Sequence, residues 1–237
     1  AHVERDSRRR PRHWCPVVLG AAGVSVTGPG HVSLGQANQD AIALRGWRGG
    51  WIAAVADGLG SRPRSGLGSR LAVQAAQQTI RSMPTEEPLR ASEPRQTATE
   101  FYRRWLRAVP YADKSCVAST ILMAACGRDG IGRVWQLGDG LVVCRSKGSF
   151  SVVTPERLGF GNETRALGIH RAWSDWCTAD VALQERGDAV ILMTDGISDD
   201  VRIEALEMFT DALVRGVMAR TRRGARGWLR NELVNWS

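Results

Sequence analysis

Four short segments rich in β-forming residues constrain the fold of this chain more than any other feature. Glycine-containing turn sequences separate them, and turns of this kind join consecutive strands into hairpins. The segments therefore predict antiparallel pairing through the middle of the chain. They comprise residues 117–125, 131–137, 141–145 and 150–153.

Helical patterns lie on both sides of this β-rich region. Apolar residues recur at helical spacing over 65–83 and 98–109, and the chain from about residue 203 also has a helical pattern. Because helices do not alternate with single strands, the order favours antiparallel sheets with helices packed outside, an α+β domain. Further strands are predicted at 17–27, 41–44 and 51–56, and a strand pair at 178–183 and 189–194.

Length and composition fit one folded domain without a membrane segment. The chain has 237 residues, 43% of them hydrophobic and 24% charged, which is enough to bury a substantial core. No apolar run approaches the ~20 residues that span a bilayer. The five cysteines have no CxxC spacing, which argues against a zinc site and a disulfide framework. We therefore expect a reducing cytoplasm and no membrane partner.

The net charge of +8 is concentrated near the two ends of the chain. Residues 1–13 contain five arginines and residues 215–230 contain six, whereas residues 14–214 carry equal numbers of basic and acidic side chains. We interpret 1–13 as a solvated Arg-rich tail and 14–237 as the folded domain. This distribution argues against nucleic-acid binding, which remains a third alternative with steep salt dependence as its test.

Two Asp-Gly pairs follow apolar strands, and a third aspartate precedes one. The pairs are Asp57-Gly58 and Asp195-Gly196, and the third carboxylate is Asp40. Glycine lets the backbone approach a ligand closely, and carboxylates that converge without basic partners require a cation. Mg²⁺ and Mn²⁺ prefer such oxygen ligands. The alternative is a simple turn, which is how we interpret residues 138–140 and 187–188.

A larger set of motifs, taken in order, resembles the metal-dependent serine/threonine protein phosphatases of type 2C. The version with Gly-x-x-His and Asn-Gln-Asp is similar to a bacterial branch of that family, and the resemblance extends over about residues 17–200. The motifs are Gly28–His31, Gln36–Ala41, Ala56–Ser61 with Ser65, Gly68 and Ser69, Ala118–Thr120, Gly138–Gly140, Asn162–Thr164, Ala166–Gly168, and Gly187-Asp188 to Asp200.

The resemblance implies a four-layer α-β-β-α sandwich, two antiparallel sheets flanked by helices, with two Mn²⁺ or Mg²⁺ ions at one end. Asp57 would bridge both ions, Gly58 would offer its carbonyl to one, Asp195 would bind the second, and Asp40 would act through water. Asp113 is placed like the ligand of a third ion, and a surface-loop aspartate is an equal alternative. A hydroxide bridging the two ions would then attack phosphorus directly.

The chain departs from the family pattern around the first motif. Gln39 stands where a glutamate is common, and Gly35 stands where an arginine commonly grips the substrate phosphate. His31, Arg62 and Arg64 are the candidates for that contact, although a histidine after a Pro-Gly turn is also typical of a surface position.

A second departure concerns the end of the sequence. The family closes with a strand that carries one more metal-binding aspartate, and no aspartate follows Asp211. We expect either that the sequence stops before this last strand or that one ligand of the second ion is missing.

Two functions follow from the resemblance. The leading hypothesis is a phosphatase acting on phosphoserine and phosphothreonine in a phosphoprotein, with a cognate serine/threonine kinase as a further partner. The alternative is a phosphatase-like regulatory or binding module with impaired catalysis.

Overall fold

Eight strands are present in the described residues of this computed structural model, which are 20–47, 50–83, 89–153 and 164–236. All strand pairs are antiparallel. The strands are β1 (Ala41–Trp47), β2 (Gly50–Ala56), β3 (Ile121–Gly127), β4 (Ile131–Leu137), β5 (Leu141–Ser146), β6 (Ser149–Val152), β7 (Cys177–Ala182) and β8 (Ala189–Met193).

Six α-helices accompany these strands within the same described residues. The two long central helices and the C-terminal helical region agree with the predicted pattern, whereas the short α1 and α4 were not predicted. The helices are α1 (Pro29–Ser33), α2 (Ser65–Arg81), α3 (Pro94–Ala108), α4 (Asp195–Ser198), α5 (Leu206–Met218) and α6 (Arg222–Trp236).

The strands form two sheets, one of five strands in the order β1-β2-β3-β4-β7 and one of three in the order β6-β5-β8. The predicted pairing of 178–183 with 189–194 is wrong, because β7 pairs with β4 and β8 pairs with β5. The connection between them crosses from one sheet to the other. Asp188 fixes this corner by accepting hydrogen bonds from the backbone N–H groups of Gln184, Glu185 and Lys147.

The strand predicted at 17–27 is also wrong where the structure describes it. Residues 20–28 have no regular secondary structure, and 17–19 lie outside the described residues, as does the predicted tail at 1–13. Gly23 lies against the side chains of Ile42 and Leu44 in β1. This segment thus has side-chain contacts with β1 and no described ladder partner, which a strand requires.

Strand β3 faces a hydrophobic core on each side. Alternate side chains of a strand point to opposite faces of its sheet, and both faces of β3 are buried. One set packs toward α2 and α3 with Trp105 and Trp135, and the other packs between the two sheets with Val142 and Val181. The first set is Ile121, Met123 and Ala125, and the second is Leu122, Ala124 and Cys126.

Helix α5 contacts the smaller sheet on its outer face. Arg145 of β5 lies on the face opposite to Val142 and Cys144, and its guanidinium forms ion pairs with Glu207 at 3.1 Å and Asp211 at 2.6 Å. The two sheets are thus flanked by helices, and the predicted α+β sandwich is confirmed.

Two other properties bear on the surroundings of the protein. In the described part of the chain, no helix combines the length and the apolar character needed to cross a bilayer. The four described cysteines, Cys116, Cys126, Cys144 and Cys177, are all free thiols.

Candidate metal centre and active site

The strand topology brings several acidic side chains to one end of the sandwich. Asp40 precedes β1 and Asp57 follows β2, and the neighbouring residues Ala41 and Ala56 are direct partners in the ladder. Asp195 follows β8, whose last residue pairs with the first residue of β5. Antiparallel pairing therefore places the start of one strand beside the end of the next, in both sheets.

Asp40, Asp57 and Asp195 lie close enough to perturb one another's ionisation. Burial, and then the hydrogen bond with Asp40 and its negative charge, raise the pKa of Asp57 to about 8. Burial and the charge of Asp57 raise the pKa of Asp195 to about 6. The pKa of Asp40 is raised too, chiefly by burial. The three carboxyls thus form one acidic cluster in which protons offset part of the repulsion.

A fourth carboxylate belongs to the same end of the sandwich and was missed from the sequence. Asp139, interpreted as a turn residue, lies between β4 and β5, and its charge helps to raise the pKa of both Asp57 and Asp195. Its Oδ2 accepts a 2.6 Å hydrogen bond from the Thr164 hydroxyl. The sequence held no distinguishing signal, because Asp139-Gly140 follows β4 after one intervening residue just as Asp129-Gly130 follows β3, and Asp129 lies at the other end of the sheet.

The backbone around Asp57 is held by the residues before β3. The Asp57 N–H donates to Thr120 Oγ1 at 3.1 Å, and the Thr120 N–H donates to the Asp57 carbonyl at 2.8 Å. The Leu59 N–H donates to the Ala118 carbonyl. These backbone bonds flank the bridge between Gly58 and Ser119, so the bridge does not use the Gly58 carbonyl itself.

Glycine is required at position 58 because helix α2 begins directly against it. A Cβ atom there would lie 2.7 Å from the Ser65 carbonyl carbon and 2.9 Å from Ser65 Cβ. The start of α2 is also bonded to the segment before β1, since Ser65 Oγ donates to Gln39 Oε1 at 3.0 Å and Ser69 Oγ donates to the Gln39 carbonyl. Gln39, which stands where a glutamate is common in the family, therefore contacts the start of α2 through its neutral side chain and its backbone.

Asp113 differs from the cluster in its interactions. It is exposed and precedes the 3-10 helix Lys114–Val117, where its carboxylate accepts from the Ser115 N–H at 2.9 Å and the Ser115 hydroxyl at 3.0 Å. These hydrogen bonds, with a contribution from Arg62, lower the pKa of Asp113. Its described contacts are those of a helix cap.

The three predicted phosphate-binding residues have different environments. Arg62 lies in the turn after Asp57, half-buried, and its Nε has no hydrogen-bond partner in the described residues. Arg64 is exposed and occupied by Tyr111, whose hydroxyl it contacts at 2.8 Å and whose ring centroid lies 4.9 Å away. His31 is exposed in α1. No interaction found for the acidic cluster in the described residues involves His31 or Arg64.

The acidic cluster fits a divalent cation in its chemistry. Among the described residues, no three His, Cys, Asp or Glu side chains surround a common point where they could all bind one ion; the carboxyls contact one another instead. The donors that the cluster offers are nevertheless carboxylate oxygens, which Mg²⁺ and Mn²⁺ prefer. A bound cation would offset the negative charge of these carboxyls, as bound protons otherwise do.

The architecture is similar to that of solved phosphatase structures. The photosystem II phosphatase PBCP has a TM-score of 0.60 at 20% identity, covering 86% of this chain and 74% of that one. The catalytic domain of the serine/threonine protein phosphatase PstP, solved with two manganese ions, has a TM-score of 0.54 at 16% identity, covering 90% and 88%. At these identities the similarity concerns the fold.

A third structure is similar in the same way. PppA, a regulatory component of T6SS in Pseudomonas aeruginosa, has a TM-score of 0.53 at 19% identity, covering 80% of this chain and 81% of that one. A comparison with curated protein sequences gives no match.

A family model provides the assignment that fold similarity alone does not. The model described as Protein phosphatase 2C matches residues 27–236, nearly the whole chain and all the acidic residues discussed above. This chain therefore belongs to the type 2C protein phosphatases, a family of phosphoprotein phosphatases.

Proposed function

We propose that this protein is a metal-dependent phosphatase that removes phosphate from phosphoserine and phosphothreonine in proteins. The observation that carries the proposal is the convergence of Asp40, Asp57 and Asp195 from both sheets, with no basic side chain among the causes of their pKa shifts. Buried acids that lack a basic partner destabilise a fold when they ionise, and they are typical of sites that bind a cation.

We assign the cation ligands to this cluster. Asp57 would be shared between two Mn²⁺ or Mg²⁺ ions, Asp195 would hold the second ion, the Gly58 carbonyl would contribute to one ion, and Asp40 would act through water. Bound cations of this kind supply an ionised water at neutral pH and neutralise phosphoryl charge. A third ion at Asp113 stays a prediction, because the contacts described for Asp113 are those of a helix cap.

The chain's own residues would orient and support this site. Thr120 holds the Asp57 backbone through two hydrogen bonds, and the β-ladder fixes Asp40 beside it. Among the three candidates, we favour Arg62 as the residue that would bind the substrate phosphate. Arg64 donates a hydrogen bond to Tyr111, whereas the Arg62 Nε lacks a described partner. His31 stays a prediction.

The test is Mn²⁺-dependent release of phosphate from a phosphothreonine peptide and from p-nitrophenyl phosphate. We expect turnover that chelator abolishes, and a loss of at least ~10³-fold in Asp57→Asn because the shared ligand is removed. The matched control is Asp129→Asn. Asp129 also precedes a glycine, but it lies in the β3–β4 turn at the opposite end of the sheet, where its carboxylate accepts a hydrogen bond from the Ile131 N–H. This variant should retain full activity.

The outcome also separates the leading proposal from its alternative. If the wild-type protein binds the phosphopeptide but no divalent cation restores turnover, the chain is a phosphatase-like binding module. If Asp57→Asn is as active as Asp129→Asn, the assigned cluster is not the active site.

We further propose that the substrate is a phosphoprotein of a signalling system and that a cognate serine/threonine kinase acts on it. The similar protein PppA is described as regulatory, which supports this role. We keep the cytoplasmic location as part of this proposal, since the cysteines of the sequence lack the spacing of a disulfide framework.

A further inference from the structure

A groove of about 460 Å³ lies along the segment that leads into Asp40 and has no assigned role. This volume is in the range of ligand-binding clefts. One wall is the segment 36–39, which ends next to Asp40, and the other is formed by Arg64 and Arg70 at the start of α2. We call it the basic groove.

The wall formed by 36–39 is held in place by hydrogen bonds. Gln39 receives bonds from Ser65 and Ser69 of α2, and Asn38 Oδ1 accepts from the Asp40 N–H at 2.8 Å. Asn38 Nδ2 also donates to the Ser25 hydroxyl at 2.7 Å. The same contacts that fix the wall therefore fix Asp40, so the basic groove has a constant position relative to the acidic cluster.

The basic groove carries positive charge, and none of the described residues that line it is acidic. Its lining contains Arg64 and Arg70 together with amide side chains, small residues and the apolar Pro63 and Leu67. Arg64 is oriented by Tyr111. Arg70 is exposed, and its Nη1 lies 3.6 Å from the position that a Cβ on Gly66 would occupy, so its guanidinium folds back over the first turn of α2 into the groove. Arg70 can thus meet an anion there, and Arg64 can add a second contact through the guanidinium N–H groups that do not bond to Tyr111.

We propose that the basic groove binds acidic side chains that flank the phosphorylated residue, so that the enzyme prefers phosphosites with neighbouring aspartate or glutamate. The inference rests on the proposed function. An extended peptide spans about 3.3–3.6 Å per residue, and the groove wall adjoins Asp40 directly, so residues one to three positions from the phosphorylated one can reach it. Arginine pairs well with carboxylates.

The experiment compares phosphothreonine peptides of equal length that carry three glutamates, alanines or lysines, on either side of the phosphothreonine. For the wild-type protein we expect kcat/KM for one glutamate peptide to exceed that of its alanine counterpart by about 10-fold, the sum of two exposed ion pairs. The preference should shrink at high ionic strength, because salt screens exposed charges.

The deciding variant is Arg70→Gln, which should reduce the ratio of the glutamate to the alanine peptide by about threefold. The matched control is Arg81→Gln, an exposed arginine at the other end of the same helix, and it should leave the ratio unchanged. Arg64→Gln provides a second variant with the same expected direction as Arg70→Gln.

Binding of the same peptides, measured by fluorescence anisotropy, keeps the inference testable without turnover. Failure of p-nitrophenyl phosphate hydrolysis would count against the proposed function, whereas the peptide ratio tests the groove alone. Equal treatment of glutamate and alanine peptides by the wild-type protein, in both turnover and binding, would overturn the inference. An equal loss in Arg70→Gln and Arg81→Gln would overturn it too.

Discussion

Asp57 shows at the scale of one residue how this site differs from a stabilising ion pair. Burial is the largest cause that raises the pKa of its carboxyl to about 8, and the negative charges of Asp40 and Asp139 add to it. Ionisation of this group is therefore opposed by the folded structure. In the absence of a cation, the side chain that we expect to matter most for activity reduces stability at neutral pH.

The raised pKa of this residue predicts that the stability of the folded protein falls as the pH rises. The folded-state pKa values of Asp57 (about 8) and Asp195 (about 6) lie above the ordinary value of 3.8. Their contribution to stability is therefore complete below about pH 4 and is lost as the pH rises through 6 and then 8. In chelator, we expect the melting temperature to fall between pH 5 and pH 8.5, measured by differential scanning fluorimetry.

Asp57→Asn isolates this effect from other titrating groups. The variant should melt higher than the wild-type protein at pH 8.5 in chelator, by roughly 3–6 °C for about 1–2 kcal/mol, and its melting temperature should depend less on pH. Asp129→Asn should keep the wild-type slope. If Asp57→Asn and the wild-type protein have parallel pH profiles, Asp57 does not carry the repulsion described here.

How much of the site was predictable also differs between residues. Asp40, Asp57 and Asp195 could be predicted because each adjoins an apolar strand. Asp139 could not be separated from an ordinary turn, since its Gly-Asp-Gly sequence suits a hairpin and the residue does lie between two consecutive strands. Its proximity to Asp57 depends on which strands are neighbours, which local sequence does not specify.

At the scale of elements, the contact between the end of β2 and the start of α2 determines the geometry around Asp57. Gly58→Ala would place a methyl group 2.7–2.9 Å from Ser65 backbone and side-chain atoms, so the first turn of α2 must shift. We expect a loss of about 1–3 kcal/mol in the free energy of unfolding, together with reduced turnover, measured by urea denaturation and phosphatase assay.

Gly60→Ala is the control for this substitution. It lies two residues further along the same turn, and a Cβ atom there meets nothing within 4 Å. It should change the unfolding free energy by less than ~0.5 kcal/mol. Equal destabilisation by both substitutions would show that the loop's flexibility, and not the contact with Ser65, limits stability.

Elements were predicted better than their partners. Runs of apolar and β-forming residues between turn sequences predicted the eight described strands approximately, together with a ninth at 17–27 that is absent over the described residues 20–27. Seven of the eight strands contain at least one buried residue, whereas β6 has none. The same sequence pattern wrongly predicted that β7 and β8 pair with each other. A Gly-Asp turn between two strands has the same local sequence whether it closes a hairpin or connects two sheets. The contact of Asp188 with Lys147, 41 residues away, distinguishes the two cases, and such distant contacts do not appear in a local pattern.

At the scale of the whole molecule, the two hydrophobic cores share β3. Alternate residues of that strand belong to different cores. Unfolding of either core would therefore expose one face of β3 to water. The two layers of helices are thereby connected through one central strand, and the loops at the acidic end extend from a continuous scaffold.

The acidic cluster draws its members from both sheets, Asp57 from the larger and Asp195 from the smaller. A cation bound by both would join the sheets at that end. We expect Mn²⁺ to slow amide hydrogen exchange in β8 as well as in residues 57–65, measured by mass spectrometry, and Asp57→Asn to abolish both effects. Slowing confined to residues 57–65 would contradict shared binding.

A protein built in this way would respond to loss of its cation with a structural change at the acidic end as well as with a loss of activity. Because both faces of β3 are buried, loss of the cation would loosen only the segments that carry Asp57 and Asp195, and the hydrophobic interior would persist.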